Sequence, residues 1–386
     1  MRNFINPSLS NIKPSGIEKF FDIASKTPGV VSLGVGEPDF DTPWHISDEG
    51  ISSIEQGNTF YTTSPGLIEL RNAIGGFLKR KYGLNYNSEE ILVTVGGSEA
   101  IDLAFRALLS PGDEVIIPEP AYVSYTPCVL LAGGKPVPLV LKEENGFQLT
   151  KESLESVLTP RTKILMMNYP NNPTGGEMDL SHLQEVADFC IEHDIFVISD
   201  EIYSELTYQG IKHISIGSLD GMKERSLIIN GFSKSYSMTG WRLGYACSTK
   251  NIISALLQIH QYTIMCASIV SQYAGVEALN NGDKDIEKMK EEYAKRRLYV
   301  LKRLKDMGLT CYQPQGAFYV FPSIKKFGLT SEDFCLKLIK EEKVAIIPGS
   351  AFGDCGEGYV RISYAYSLND LRTALDRLAR FIRKQI

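Results

Sequence analysis

The sequence predicts an α/β fold, a mostly parallel central sheet sandwiched by helices, with a smaller α+β domain beside it. Three observations carry this. From about residue 45 to 280, short β-branched runs alternate with amphipathic stretches, as in βα repeats whose sheet is covered on both faces. After about residue 280 the texture changes to a long charged helix and then to short strands between helices. The length, 386 residues, allows two or three domains at roughly 150 residues each. The expected division is 1-45 as an N-terminal segment packing with the small domain, 46-280 as the large domain and 281-386 as the small one, with a cleft between.

Each element follows from local pattern. ILVTV (91–95), DEVIIP (113–118), KILMMN (163–168), IFVISD (195–200), SLIING (226–231) and LGYACS (243–248) are short and apolar, bounded by Gly, Pro, Asp or Ser, which marks buried strands. Between them, Ser98 precedes EAIDLAFRALL, a helix that Pro111 and Gly112 stop, and Asp179 leads into LQEVADFCIEH. Further on come the helix DIEKMKEEYAKRRLYVLKRLKDMG and the short strands AFYVFP, VAIIPG and YVRISYA. The helix LNDLRTALDRLARFIRKQI closes the chain.

Forty Lys and Arg against 46 Asp and Glu give a net charge of −6, which argues against a protein that coats nucleic acid or binds membranes through basic clusters. Hydrophobic residues at 43% and charged residues at 22% are ordinary globular usage, so a large core can form. The N-terminal MRNFINPSLSNIKPSG has no apolar signal core, and the expected location is cytoplasmic. Seven cysteines scattered singly without a CxxC pair fit a reducing compartment. Five histidines show no HExxH spacing, and no metal is expected.

Four clusters carry chemistry. In Asn230-Gly-Phe-Ser-Lys234, a lysine follows an apolar strand and enters a Gly/Ser-rich turn, with Arg242 eight residues on. A lysine there can be desolvated, which lowers its pKa and favours Schiff-base chemistry, and Arg242 supplies a fixed cation for a phosphate. In Ile195-Phe-Val-Ile-Ser-Asp200-Glu-Ile-Tyr203, a carboxylate ends a strand where open α/β sheets bind ligands, and it calls for a cationic partner. In Asn168-Tyr-Pro-Asn-Asn172-Pro, a turn presents an amide after a strand. Gly96-Gly-Ser-Glu-Ala100 joins a strand to a helix N-terminus, a place for a phosphate.

Together these clusters resemble the class I/II aminotransferases, fold type I pyridoxal-phosphate enzymes, over nearly the whole chain. The likeness is greatest to the bacterial branch of aromatic, N-acetyl-diaminopimelate and broad-range aminotransferases, through LGVGEPDFDTP, FYTTSPGLIELR and GEGYVRISYA. The resemblance implies pyridoxal 5'-phosphate as cofactor and ping-pong transfer from an L-amino acid to a 2-oxo acid such as 2-oxoglutarate. It implies that Lys234 carries the Schiff base and moves the proton, and that Asp200 pairs with the pyridinium nitrogen. Asn172 and Tyr203 would bond the phenolic oxygen, with Tyr122 stacked on the ring. The phosphate would take the amides of Ser98 and Glu99, Arg242, and Tyr61 from a neighbouring subunit. Ser233 is a candidate hydroxyl donor there, although the serine that some relatives place three residues before the lysine is Gly231 in this chain. Arg361 would clamp the substrate carboxylate beside Gly36. Tyr61, Tyr122 and the apolar MCASIVSQY (265–273) would let the pocket accept aromatic side chains, though the same residues also serve cofactor stacking and core packing. A homodimer with shared active sites is implied, with amino and oxo acids as the only ligands.

Two alternatives use the same residues differently. A carbon–sulfur β-lyase would share Lys234, Asp200 and Arg361 and differ in the fate of the carbanion. A regulatory protein binding the cofactor as a ligand would need a DNA-binding module. A Rossmann dehydrogenase is a weaker reading, because Gly96-Gly-Ser-Glu-Ala100 lacks the GxGxxG fingerprint.

Overall fold

The computed structural model describes residues 4–6, 9–10, 12 and 14–385. Helix α1 (Gly16–Ser25) is capped by Ser15, whose hydroxyl accepts from the Glu18 amide, and leads to the short strand β1 (Val31–Ser32). Helices α2 (Trp44–Glu55) and α3 (Ile68–Tyr82) follow, α3 ending on Gly83 at φ 72°. Then strands and helices alternate: β2 (Ile91–Thr94), α4 (Gly96–Leu108), β3 (Glu114–Glu119), α5 (Tyr125–Leu131), β4 (Lys135–Val140) and α6 (Lys151–Glu155). The alternation continues through β5 (Thr162–Asn168), α7 (Leu180–Glu192), β6 (Phe196–Asp200), β7 (Ser226–Gly231) and β8 (Gly244–Cys247).

These strands form one sheet in the order β2-β8-β7-β6-β5-β3-β4, parallel except for β8, which runs antiparallel to both its neighbours. The mostly parallel, helix-covered sheet matches the expected fold. Strands β2, β7 and β8 are buried at every residue, as a doubly covered sheet requires.

Strand β4 was not expected, because its sequence KPVPLV holds two prolines. It lies at the sheet edge, where Lys135 and Leu141 donate to β3 and the even-numbered Pro136 and Pro138 fall on the side without a partner. Helix α4 also departs from expectation. It begins at Gly96, two residues before the sequence signal, so Ser98 lies in its first turn; Glu99 Oε2 accepts from the Val95 amide and performs the capping there. Asp179 caps α7 as expected, accepting from the His182 amide.

The remaining elements are α8 (Lys250–Thr263), α9 (Ile269–Asn281), α10 (Asp283–Asp306), β9 (Tyr319–Val320), α11 (Ser331–Glu342), β10 (Val344–Ala345), β11 (Ile347–Pro348), β12 (Val360–Ser363) and α12 (Leu368–Gln385). Strand β12 pairs antiparallel with β11 and β9, while β1 pairs parallel with β10, Val31 opposite Val344. Helix α12 buries Leu371, Leu375, Leu378 and Ile382, a three-to-four-residue stripe. Among the described residues no helix is long and apolar enough to cross a membrane.

Candidate active site

Strands β5, β6 and β7 end together at their carboxyl ends, the side on which open α/β sheets bind ligands. A cavity of about 780 Å³ opens there, and Lys234, Asp200, Asn172, Tyr203, Tyr122 and Arg361 all line it.

Asp200, the last residue of β6, is 6% exposed. Its Oδ2 accepts from the Tyr125 hydroxyl at 2.7 Å and its Oδ1 from the Ile202 amide at 3.1 Å. Burial pushes the carboxyl up to about 6, against the pull of these two hydrogen bonds, with Glu201 adding to the rise and Lys234 opposing it. Behind it, Asn168 Nδ2 donates to the Asp200 carbonyl, and Asn168 Oδ1 accepts from the Asn172 amide, so one side chain ties two loops.

Lys234 follows β7 and donates from Nζ to the carbonyl of Gly36. Burial brings its ammonium down to about 8; Glu37 and Asp200 oppose this, and Arg361 and Arg242 reinforce it. Gly36 can only be glycine, because a Cβ would stand 2.3 Å from the Tyr319 hydroxyl. That hydroxyl lies 2.8 Å from the Tyr203 hydroxyl.

Arg361, in the middle of β12, is 2% exposed. Nη1 donates to Asn172 Oδ1 at 2.9 Å and Nη2 to the Gly34 carbonyl at 2.7 Å, while Nε is buried without a partner among the described residues. The guanidinium lies 4.4 Å from the Tyr319 ring centroid and 4.8 Å from that of Phe352, so its plane is fixed between aromatic rings.

At the start of α4, the amides of Gly96, Gly97 and Ser98 precede the first intrahelical hydrogen bond and have no partner within the helix. Ser98, Ser233 and Arg242 line the cavity beside them. A Cβ on Gly96 would lie 2.8 Å from Arg242 Nη2, so the guanidinium reaches the helix start only because glycine stands there, at φ 73°. The Glu99 carboxylate is turned away, with Oε2 on the Val95 amide and Oε1 2.6 Å from His260 Nδ1. The result is a short run of free amides and one cation with the nearest anion already engaged, which suits a phosphate.

The cavity leaves out two predicted residues, Glu99 and Tyr61. Tyr61 is 80% exposed and is not part of the lining. The 265–273 segment is not in the cavity lining: Ser268, Val270 and Ser271 line an adjoining open cleft of about 760 Å³ with Trp241 and with Arg242, which the cleft shares with the cavity. The cavity also holds two residues that the sequence reading missed, Tyr125 and Tyr319.

The family described as Aminotransferase class I and II matches residues 28–378. The chain belongs to this family. The aminotransferase is 47% identical over 380 residues to an aspartate aminotransferase of Pyrococcus abyssi, with 98% of each chain covered. It is 44% identical over 384 residues to aromatic-amino-acid aminotransferase 2 of Thermococcus litoralis, with 99% of each covered. The solved aromatic aminotransferase of Pyrococcus horikoshii superposes with a TM-score of 0.91 at 44% identity, covering 96% of this chain and 100% of that one. The activity is therefore amino-group transfer, and it depends on pyridoxal phosphate. The donor set fits that group: a half-buried amine of lowered pKa, a buried carboxylate for a ring nitrogen, and the Gly96–Arg242 cradle for a phosphate.

Proposed function

We propose that the protein moves the amino group of an L-amino acid with an aromatic or otherwise apolar side chain to a 2-oxo acid such as 2-oxoglutarate, as a cytoplasmic homodimer. The observation that carries the reading is the convergence of Lys234, Asp200 and Arg361 on one cavity. Bound pyridoxal phosphate supplies a ring that accepts the electron pair released when the substrate's α-proton leaves. Lys234 Nζ takes that proton and returns it, a task that needs an amine free of its own proton near neutral pH. Asp200 holds a proton on the ring nitrogen, and Tyr125 orients the carboxylate. Asn172 and Tyr203 bond the phenolic oxygen, and Tyr122 covers a ring face. The amides of Ser98 and Glu99 with Ser233 and Arg242 take the phosphate, Tyr61 reaching it from a second copy. Residues 1-45 and 281-386 form the small domain against 46-280, a division supported by the β1–β10 pairing.

Arg361 takes the substrate α-carboxylate, and Gly36 lines that side. Because Arg361 is planar and stacked, lysine cannot reproduce it. Arg361→Lys is expected to raise KM for the amino donor by about tenfold to a hundredfold, in line with loss of a charge-assisted fork. Steady-state kinetics with a fixed acceptor checks this, and an unchanged KM would remove Arg361 from the carboxylate site.

The outer wall supports an apolar donor. Ile17, Phe21, Val35 and Ile101 line it, and among the described residues of the N-terminal segment Glu18 and Glu37 are the charged groups there. A distal carboxylate beside these two would meet anions. The expected kcat/KM for phenylalanine or tyrosine exceeds that for aspartate by about tenfold or more. The deciding assay adds single amino acids to the cofactor-loaded enzyme without an acceptor and measures the products. Stoichiometric 2-oxo acid, with aromatic donors ahead, is the expected result; continuous pyruvate and ammonia from cystathionine would make the protein a β-lyase.

The dimer reading is supported by the exposed Phe60, Tyr61 and Tyr262, large apolar side chains at 79%, 80% and 86% exposure. Sedimentation should give twice the 42.9 kDa of one chain. Tyr61→Phe should weaken cofactor affinity about threefold to tenfold, the loss of one hydrogen bond to a phosphate.

A further inference from the structure

Away from the cavity, three ionisable side chains meet in the interior. His213 lies between Glu177 and Glu201, and the side chains are 3%, 3% and 1% exposed. Nδ1 is 2.8 Å from Glu177 Oε1. Nε2 is 3.1 Å from Glu201 Oε2, off the N–H axis, so this end is held by charge more than by an aligned hydrogen bond. Glu201 Oε1 is taken by the hydroxyls of Ser199 and Ser215, at 3.0 and 2.8 Å. Among the described residues, Glu177 Oε2 and Glu201 Oε2 have no hydrogen-bond partner. The Tyr82 ring packs edge-on to His213 at 5.7 Å. The other titratable groups bearing on the pair are Tyr169 and Tyr312 on the Glu177 side, and Tyr86, Tyr245, Cys247 and Asp200 on the Glu201 side.

The arrangement favours a charged imidazole. Ionised carboxylates can only accept, so the Glu177 contact takes a ring N–H at Nδ1, and the Glu201 charge beside Nε2 favours a proton there; burial raises the Glu177 carboxyl, and the His213 charge opposes that rise. Burial acts to lower the pKa of His213, and the two carboxylates overcome it and push it up to about 10.

The two carboxylates belong to the two loops that build the cavity. Glu177 follows the Asn171–Gly176 turn, which Asn171 locks by accepting from the Thr174 amide and hydroxyl, and this turn presents Asn172 to Arg361. Glu201 is the next residue after Asp200. We propose that His213, as an imidazolium clasped by Glu177 and Glu201, is a positioning residue that holds the Asn172 loop in register with the Asp200 strand end, and so sets the carboxylate site of Arg361. The proposal rests on the site reading given above.

Two measurements test it. In the holoenzyme labelled with 15N-histidine and titrated by NMR, one of the five histidines should keep both ring nitrogens protonated beyond about pH 8, where an ordinary histidine is neutral. That signal should vanish in His213→Gln, or shift in Glu177→Gln if the former does not fold. A His213 neutral at pH 7 overturns the clasp. In kinetics, Glu177→Ala frees the loop and should raise KM for the amino donor by about tenfold, with kcat changed less than about threefold. Glu177→Gln keeps an acceptor toward Nδ1 and should hold KM within about twofold of wild type. A Glu177→Ala variant with wild-type KM overturns the positioning role even if its stability falls. A wild type that transfers no amino group counts against the site reading alone, and the protonation of His213 then decides the clasp.

Discussion

Replacing Lys234 by alanine is expected to lower turnover by about 10⁴-fold or more, with the protein still folded and still taking up cofactor through its phosphate. Among the described residues, Lys234 is the one amine on the cavity wall, and burial has brought it to about 8. Its removal takes away the group that carries the substrate proton, and proton transfer by a positioned side chain accounts for about 10² to 10⁴ in rate before any covalent contribution. Alanine leaves the Gly36 carbonyl without its donor, but that carbonyl can turn to water in an open cavity, so folding should be spared. The lowered pKa has its own signature, one that needs no cofactor. A protonated amine is not a nucleophile, so reductive labelling of Lys234 by a small aldehyde should speed up as pH rises through about 8 and then level. Ordinary lysines keep accelerating toward about 10. Peptide mass spectrometry at a series of pH values reads both classes in one sample. If Lys234 labels with the ordinary lysines, it is not desolvated; if the alanine variant turns over normally, it is not the proton carrier.

The residues with the largest predicted effects were legible in the sequence because their signals are local. Asp200, Asn172 and Lys234 each stand within four residues of the end of a buried apolar strand, a place where a polar residue has no packing reason to be. What could not be read there is the set of partners that tune them. Tyr125 is 75 residues from Asp200 and Tyr319 is 116 from Tyr203, and nothing in AYVSY or AFYVFP distinguishes a tyrosine that donates from one that packs. Glu177, Glu201 and His213 come from three separate segments and look like solvated surface charges until the loops are folded over one another. The start of α4 was misplaced for a different reason. Serine is a common cap, and here glycine at positive φ with a reaching Glu99 does that work instead. Strand β4 was hidden by its prolines, which exclude a central strand and say nothing against an edge. Tyr61 rested wholly on the resemblance, since a single chain leaves it in solvent.

Asp200→Asn should separate what this carboxylate does for the reaction from what it does to the fold. Asparagine keeps the shape and an acceptor for the Ile202 amide, but it carries no charge to hold a proton on the ring nitrogen. Loss of one preorganised charge at such a place lowers kcat by about 10² to 10³. Tyr125→Phe is the milder control: it removes a donor that stabilises the ionised form, so the acid limb of the kcat/KM profile should move to higher pH. Stability without cofactor should go the other way from activity. Asp200 has a folded pKa of about 6, above the usual carboxyl value near 4 in the unfolded chain. A raised carboxyl pKa means that the unfolded state gives up its proton first. The penalty of burying the charge is therefore absent below about pH 4, grows as pH rises to about 6, and is complete above that, reaching about 3 kcal/mol. Asparagine escapes it, so the melting temperature of the cofactor-free variant, measured against cofactor-free wild type, should gain between pH 4 and pH 7. Any hydrogen bond that asparagine fails to make is missing at both pH values and cancels in that difference. A gap that does not change with pH would mean that Asp200 is not buried as a charge, and the pairing with a cationic ring would lose its physical basis.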